Sequence, residues 1–288
     1  MSWCRDGFNE LLEHCISASD LAASITDRNI TTSSACSGIN SDGMADRIVS
    51  CTAVEIARKN HLTGSPLKFT ALFAIEKNVA CQEELLSQEG GPMHVFGDMM
   101  DFTPSHLRKD VGLDGGQELE PEELAKILPR CDVKTEAWCY RHGKMCSLQR
   151  ADIHRAGTPC TPHSSFGAGR QWSDPTVKVF FIWCAHRRKL MEQLVFHENV
   201  PQMGDGTARA HLGDIYIIIC LKLDSEDFGW PYSRRRQILA MVLKAWIFFV
   251  LHDDIGWVDN PEQLIIDALN IEGFISGVFF PQVRISFE

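Results

Sequence analysis

The sequence predicts an α/β layered fold, with a mostly parallel central sheet and helices on both faces. Three observations carry this. Short runs rich in β-branched and aliphatic residues recur along the chain. Segments with apolar residues at helical spacing lie between them. Acidic residues fall just past several of the runs, at the strand ends where such sheets hold ligands.

Taken in order, residues 1–30 read as a short helical leader, with Phe8, Leu11, Leu12 and Cys15 at helical spacing. Met44 to Lys59 is a helix with Ile48, Val49, Ala53, Ile56 and Ala57 on one side. Phe69 to Ile75 reads as a buried strand and Met93 to Phe96 as a shorter one. Residues 110–150 interrupt the alternation. They hold an acidic stretch, Glu118 to Glu123, then Cys131, Cys139, His142 and Cys146. These four soft ligands suit zinc, but no C-x2-C pair is present, so the expectation is a loop-rich insertion with free thiols and no metal. A short strand is expected over Ala151 to His154. Ser173-Asp174-Pro175 places a cap and a first-turn proline at the start of a helix running to Leu194. Leu194 to Phe196 is a strand ending at His197-Glu198-Asn199. The strongest strands are Ile215 to Leu221 and Ile238 to Leu243, and a helix is expected over Pro261 to Leu269. Glu76, Asp98 and Glu198 each fall just past a strand.

Composition sets the outer limits. The 288 residues carry 28 basic and 38 acidic side chains, a formal charge of −10, with 44% hydrophobic and 23% charged residues. That balance excludes a mainly disordered chain, a collagen-like fibre and a small disulfide scaffold. It argues against broad non-specific nucleic-acid binding, which relies on clustered Lys and Arg. Two local basic clusters remain, His186 to Lys189 and Arg234 to Arg236. The best apolar run, Ile238 to Leu251, is 14 residues long and includes Lys244, short of the roughly 20 a bilayer span needs. The start lacks a basic region followed by an apolar core, so the 11 cysteines are expected to be reduced thiols in an intracellular protein.

The segment Ala156-Gly-Thr-Pro-Cys-Thr-Pro-His-Ser164 holds Cys160 between prolines beyond a strand, the setting of a rigidly presented nucleophile. Glu198-Asn199-Val200 follows 38 residues on (198 − 160), and Tyr232-Ser-Arg-Arg-Arg236 brings Arg234 a further 36 on (234 − 198). Upstream stand Cys36-Ser37-Gly38-Ile39, Glu76-Lys77-Asn78 and Gly97-Asp98. This ordered series, over roughly residues 33 to 243, resembles the S-adenosylmethionine-dependent cytosine-C5 DNA methyltransferase family.

The resemblance implies a Rossmann-like methyltransferase fold over 31–251 and S-adenosyl-L-methionine as cofactor. Cys36, Ser37, Gly38 and Ile39 form the turn under its methionine part. Glu76 accepts from the ribose hydroxyls, Asp98 accepts from the adenine amine, and Pro159 joins the cofactor contacts. Cys160 is the nucleophile, Glu198 the acid beside the cytosine, and Arg234 and Arg236 the basic pair. The implied partner is nucleic acid, DNA favoured over RNA, with no membrane. The compartment is the nucleus in a eukaryote and the cytoplasm otherwise.

The sequence departs from the family in several places. Cys36 and Asn40 stand for an aromatic and a second glycine, Tyr232 for a glutamine, and Thr158 for a proline or phenylalanine. Residues 31–36 are polar for a central strand. Residues 252–288 form a short tail where the family has a target-recognition region and a final motif, so recognition falls to another chain or a longer parent protein. The alternatives to DNA methylation are a catalytically silent binding or regulatory module and an RNA cytosine methyltransferase.

Overall fold

The computed structural model describes residues 29–59, 67–115, 117–164, 167, 169–228 and 231–245. The elements are β1 (Asn29–Ala35), α1 (Ser41–Lys59), β2 (Lys68–Ile75), α2 (Val79–Ser87), β3 (His94–Phe96), α3 (Pro121–Ile127), β4 (Glu136–Cys139), β5 (Lys144–Ser147), β6 (Ile153–Ala156), α4 (Lys178–Leu190), β7 (Leu194–Asn199), α5 (Gly206–Leu212), β8 (Tyr216–Leu223) and β9 (Arg236–Leu243). The strands form one sheet in the order β5-β4-β3-β2-β1-β6-β7-β9-β8. The five central strands, β3 to β7 in that order, are parallel. On one side β9 runs antiparallel to β7, and β8 antiparallel to β9. On the other side β4 and β5 extend the sheet as an antiparallel hairpin.

This is the layered α/β architecture with a mostly parallel centre that the alternating pattern predicts, wound in the Rossmann-like way that the resemblance implies. Side chains on β2 alternate between two buried faces. Ala74 packs with Val95 and with Leu85 of α2 on one face. Phe73 and Ile75 join the larger core built on Phe181, Ile182 and Trp183 of α4. The chain winds outward from β1 through β2 to β3, and in the opposite direction through β6 to β7. The order therefore reverses between β1 and β6, the crevice where folds of this kind bind ligands. Among the described residues no helix is long and apolar enough to cross a membrane.

Five expectations are refined or corrected. Residues 110–150 are loop-rich as expected but also supply α3 and the β4–β5 hairpin, because the β3 edge offers unpaired backbone that β4 satisfies. The short strand lies at Ile153–Ala156, two residues later than expected, since Asp152 is occupied in bonding the Thr31 amide (2.8 Å) and hydroxyl (2.7 Å). The helix expected to reach Leu194 is a 3-10 turn, Pro175–Val177, followed by α4, which stops at Leu190 where Met191 turns left-handed (φ 50°, ψ 53°). Glu198 lies inside β7 rather than past it, because β9 pairs with that strand as far as Asn199. β1 starts at Asn29, two residues inside the segment assigned to the leader. The rest of the leader, the Pro261 to Leu269 helix and the 252–288 tail lie outside the described residues.

The polar central strand is satisfied from its neighbours. Ser33 is buried and its Oγ lies 2.8 Å from His154 Nδ1 on β6. Trp183 Nε1 donates to His154 Nε2 at 3.1 Å. With Nε2 accepting, the proton of the neutral ring sits on Nδ1 and is donated to Ser33. Burial holds His154 far below the ordinary histidine value, with the Arg187 charge adding to the effect. His186 and His197, also enclosed, are each pushed down to about 3, chiefly by burial.

A pH dependence follows. These rings are neutral in the folded chain and take a proton once unfolded, below the ordinary value of about 6.5. Their contribution is complete above that value and is lost as pH falls. Each is expected to remove roughly 2 kcal/mol between pH 7 and pH 5. Urea midpoints across that range should fall steeply, and a flat profile would contradict the enclosure of these histidines.

Candidate active site

The register of the parallel strands aligns their carboxyl ends in one row. Ala35 of β1 is level with Ile75 of β2 and with Ala156 of β6. Ile75 is level with Phe96 of β3, and Ala156 with His197 of β7. The residues just beyond form a line across the sheet edge: Gly97, Glu76, Cys36, Gly157 and Glu198. Backbone bonds tie the line together, from Glu76 N to Phe96 O (3.1 Å), Ser37 N to Ile75 O (3.2 Å) and Gly157 N to Ala35 O (3.3 Å).

On the β1–β2–β3 side, Cys36 and Gly38 take left-handed backbone angles, φ 52° and 53°. The turn they make directs the Gly38 amide onto Glu76 Oε2 at 2.8 Å, while Asn78 N donates to Oε1 at 2.7 Å. Nothing lies within 4 Å of where a Gly38 Cβ would stand, so the cradle is open above the glycine. The Asn40 side chain accepts from Gly43 N (3.2 Å) at the start of α1 and donates to Gln88 (2.8 Å), a bracing role that a glycine there could not fill. Arg155 of β6 grips Asp46 of α1 through two bonds, 2.6 and 2.9 Å, and fixes that helix against the sheet. The Cys36 thiol is pushed up to about 12 by burial, then by Glu76 and Asp98, so it is neutral and unreactive at ordinary pH.

Asp98 accepts from Met100 N at 3.0 Å and pairs with Lys77 at 2.8 Å. Beside it opens a cleft of about 420 Å³, with Val79, Leu86 and Tyr140 among its apolar walls and Gly97, Asp98 and Asp101 among the polar ones. A Cβ on Gly97 would stand 3.3 Å from the Tyr140 ring, so glycine is what lets this ring approach. Burial raises the Asp101 carboxyl, and the neighbouring Asp98 charge adds to it.

On the β6–β7–β9 side, Pro159 and Cys160 sit on an exposed loop. Cys160 O accepts from His163 N (3.0 Å) and Ser164 N (2.9 Å), which makes the cysteine the first residue of a tight turn. The loop is anchored from below. Thr158 Oγ1 lies 2.8 Å from His197 Nε2, and Asn199 Nδ2 donates to Thr158 O at 3.0 Å. The clamp explains Thr158, since a proline there would offer no hydroxyl to the buried His197. Glu198 Oε1 meets Arg236 Nε at 2.6 Å, and Glu198 Oε2 stands 3.5 Å from where a Gly157 Cβ would be. The Glu198 side chain is 49% exposed in the free site. Arg234 is exposed. Its amide donates to Asp224 Oδ1 at 2.8 Å, and Ser233 and Arg235 bond the same carboxylate. Those bonds hold Asp224 down at about 2.

The structure thus gathers Cys36 to Ile39, Glu76 and Asp98 on one side of the crevice, with Pro159, Cys160, Glu198 and Arg236 on the other. Arg234 is tethered through its backbone amide to Asp224, while Arg236 is the arginine paired with Glu198. The bonds that join Thr158, His197 and Asn199 into a clamp, the cleft wall Tyr140 and the Asp46–Arg155 pair are additions that the motifs do not announce.

No protein-family model and no curated protein matches the chain. Among solved structures it is similar to an E. coli protein described as a DNA modification methyltransferase encoded within a prophage, at 13% identity and TM-score 0.42 over 75% of this chain and 47% of that one. It is also similar to the Dnmt2 methyltransferase of S. pombe (14%, TM-score 0.39, 77% and 54%). A third is the Entamoeba histolytica methyltransferase EhMeth (12%, TM-score 0.38, 76% and 54%). The chain spans about half the length of these structures.

Proposed function

We propose that the chain transfers a methyl group from S-adenosyl-L-methionine to carbon 5 of cytosine in nucleic acid, with DNA favoured over RNA. The observation that carries the reading is the register: one sheet edge holds two strand-end acids beside an open turn, and across the crevice a carboxylate–guanidinium pair and the strand end from which the Cys160 loop departs.

The residues suit the cofactor. Each Glu76 oxygen accepts one backbone amide and keeps acceptor capacity for a ribose hydroxyl. Asp98 faces a cleft whose apolar walls fit a purine. The bound cofactor supplies an electrophilic methyl group on a sulfonium. Everything else is asked of this chain.

Carbon 5 of cytosine is a poor nucleophile. The Cys160 thiolate adds to carbon 6, forming a C–S bond and an electron-rich enamine. Glu198 in its protonated form donates to N3, and Arg236 binds O2, where its fixed charge offsets the anion developing on the ring. Glu198 is half exposed in the free chain, so an arriving base can reach its carboxyl. Carbon 5 of the enamine would take the methyl group that the bound cofactor would supply. Loss of the carbon 5 proton then restores the double bond and expels the thiolate. In a duplex the base must first be turned out of the stack. An exposed Cys160 on a rigid turn suits a base arriving from outside.

The test is covalent trapping. Full-length protein is incubated with S-adenosylmethionine and 5-fluorocytosine oligonucleotides, as DNA and as RNA. Fluorine blocks proton loss, so the expected outcome is a denaturation-resistant adduct with DNA. An adduct with RNA only would move the substrate. No adduct in folded protein that still binds the cofactor would favour a silent binding module. Separately, Glu76→Gln is expected to weaken cofactor binding about 10- to 100-fold by calorimetry. Unchanged affinity would remove Glu76 from the site.

A further inference from the structure

We propose that His94, Cys139, His142 and Cys146 form a structural zinc site that fastens the β4–β5 hairpin to the edge of β3. The four donor atoms lie within 4.8 Å of one another. Cys139 Sγ stands 3.3 Å from His142 Nδ1 and 3.8 Å from His94 Nδ1, and Cys146 Sγ stands 3.7 Å from His142 Nδ1. A tetrahedral zinc with Zn–S about 2.3 Å and Zn–N about 2.0 Å sets S···N edges of about 3.5 Å. The three separations bracket that value.

Hydrogen bonding alone accounts for the cluster poorly. The single lone pair of His142 Nδ1 faces two thiols, and Cys139 faces two imidazoles. Convergence of two sulfurs and two nitrogens on one point is what a closed, four-coordinate zinc site requires. The backbone prepares it. Cys139 is fully buried at the end of β4, and Gly143 (φ 60°) closes the turn with its amide on Cys139 O at 2.8 Å. That turn folds His142 back between the two cysteines. His94, the first residue of β3, is held by stacking on Phe96 (5.9 Å between centroids, 17° between planes). Cys131, which the sequence groups with these ligands, is not among the four; β3 contributes His94 in its place.

The site has a consequence for its neighbour. Tyr140 follows Cys139 directly, its amide bonds Val95 O at 2.8 Å, and its ring closes the 420 Å³ cleft over Gly97. Zinc fixes the hairpin that carries this wall. The zinc site itself does not depend on the methyl-transfer reading.

The test is metal content. The full chain, purified under reducing conditions without chelator, is expected to hold about one zinc per chain by elemental analysis. Cobalt exchange should give thiolate charge-transfer and tetrahedral d–d bands. His142→Ala, at an exposed position, and Cys146→Ser should each lower metal affinity at least about 100-fold, while Cys131→Ser leaves it unchanged. Chelation of the wild type should lower its melting temperature and leave that of His142→Ala unmoved. Absence of zinc and of cobalt uptake in folded, fully reduced protein would overturn the proposal. So would a Cys139–Cys146 disulfide in protein isolated with its other thiols free, or equal metal binding by the Cys131→Ser and His142→Ala variants.

Discussion

Cys160→Ser is expected to lower methyl transfer by about 10⁴-fold or more, and to abolish the 5-fluorocytosine adduct, without a measurable change in folding stability. The size follows from the chemistry. A serine hydroxyl is far less ionised than a thiol near neutral pH and is a poor nucleophile toward carbon 6. The selectivity follows from the structure. Cys160 is exposed, and the bonds that hold its loop use the backbone of residues 158 and 160 and the side chains of Thr158, His197 and Asn199. The substitution therefore leaves the anchor intact. Circular dichroism and urea midpoints should coincide with wild type while transfer of radiolabelled methyl disappears. Transfer that survives the substitution would make Cys160 structural and sink the covalent mechanism. Thr158→Val is the informative companion. It removes the hydroxyl from His197 and loosens the loop, so kcat should fall by more than cofactor affinity, most of whose contacts lie on the other side of the crevice.

Arg187→Met is expected to destabilise the fold by about 3–5 kcal/mol, the largest stability effect of any single change proposed. Arg187 Nη1 meets Glu192 Oε1 at 2.5 Å, and neither side chain is exposed at all. Arg187 also lies over the Trp183 ring, 5.8 Å from its centroid, and Tyr216 bonds the carbonyls of both Arg187 (3.4 Å) and Glu192 (3.2 Å). Removing the guanidinium leaves a buried carboxylate without its ion-pair partner. The pair is nonetheless costly to hold. Arg187 Nε and Nη2 and Glu192 Oε2 have no hydrogen-bond partner among the described residues. The double variant Arg187→Met, Glu192→Leu should therefore recover most of the loss, and chemical denaturation of the four species would measure the coupling. A double variant as unstable as the single would show that shape, rather than charge, is what the site requires.

The pair also accounts for a boundary that periodicity misses. Helical spacing continues past Leu190, yet the chain breaks at Met191 in a left-handed conformation that costs a non-glycine residue free energy. Turning there brings Glu192 back onto Arg187 and starts β7 at Leu194. Similarly, apolar runs located β2, β3, β7, β8 and β9 to within two or three residues, because burial on a sheet face imprints itself on local sequence. The hairpin of β4 and β5 was missed, since only Ala137 and Cys139 of its eight residues are buried and its pairing is satisfied at an edge.

What this sequence determined by itself is the inventory: alternating strands and helices, a proline-flanked Cys160, acids at the ends of β2 and β3, and a cluster of soft ligands. These are local properties, set by side-chain type and short-range period. Only the tertiary structure decided which of them meet. Glu198 faces Arg236 because β9 returns antiparallel beside β7, out of sequence order. His94 replaces Cys131 among the soft ligands because β4 pairs with β3, 45 residues away from Cys139. Parallel register across β3, β2, β1, β6 and β7 brings Glu76, Asp98, Glu198 and the start of the Cys160 loop to one edge. The physical reason is that strand partnership depends on loop closure and on which buried faces fit together across the sheet, and neither is written in the period of any single segment.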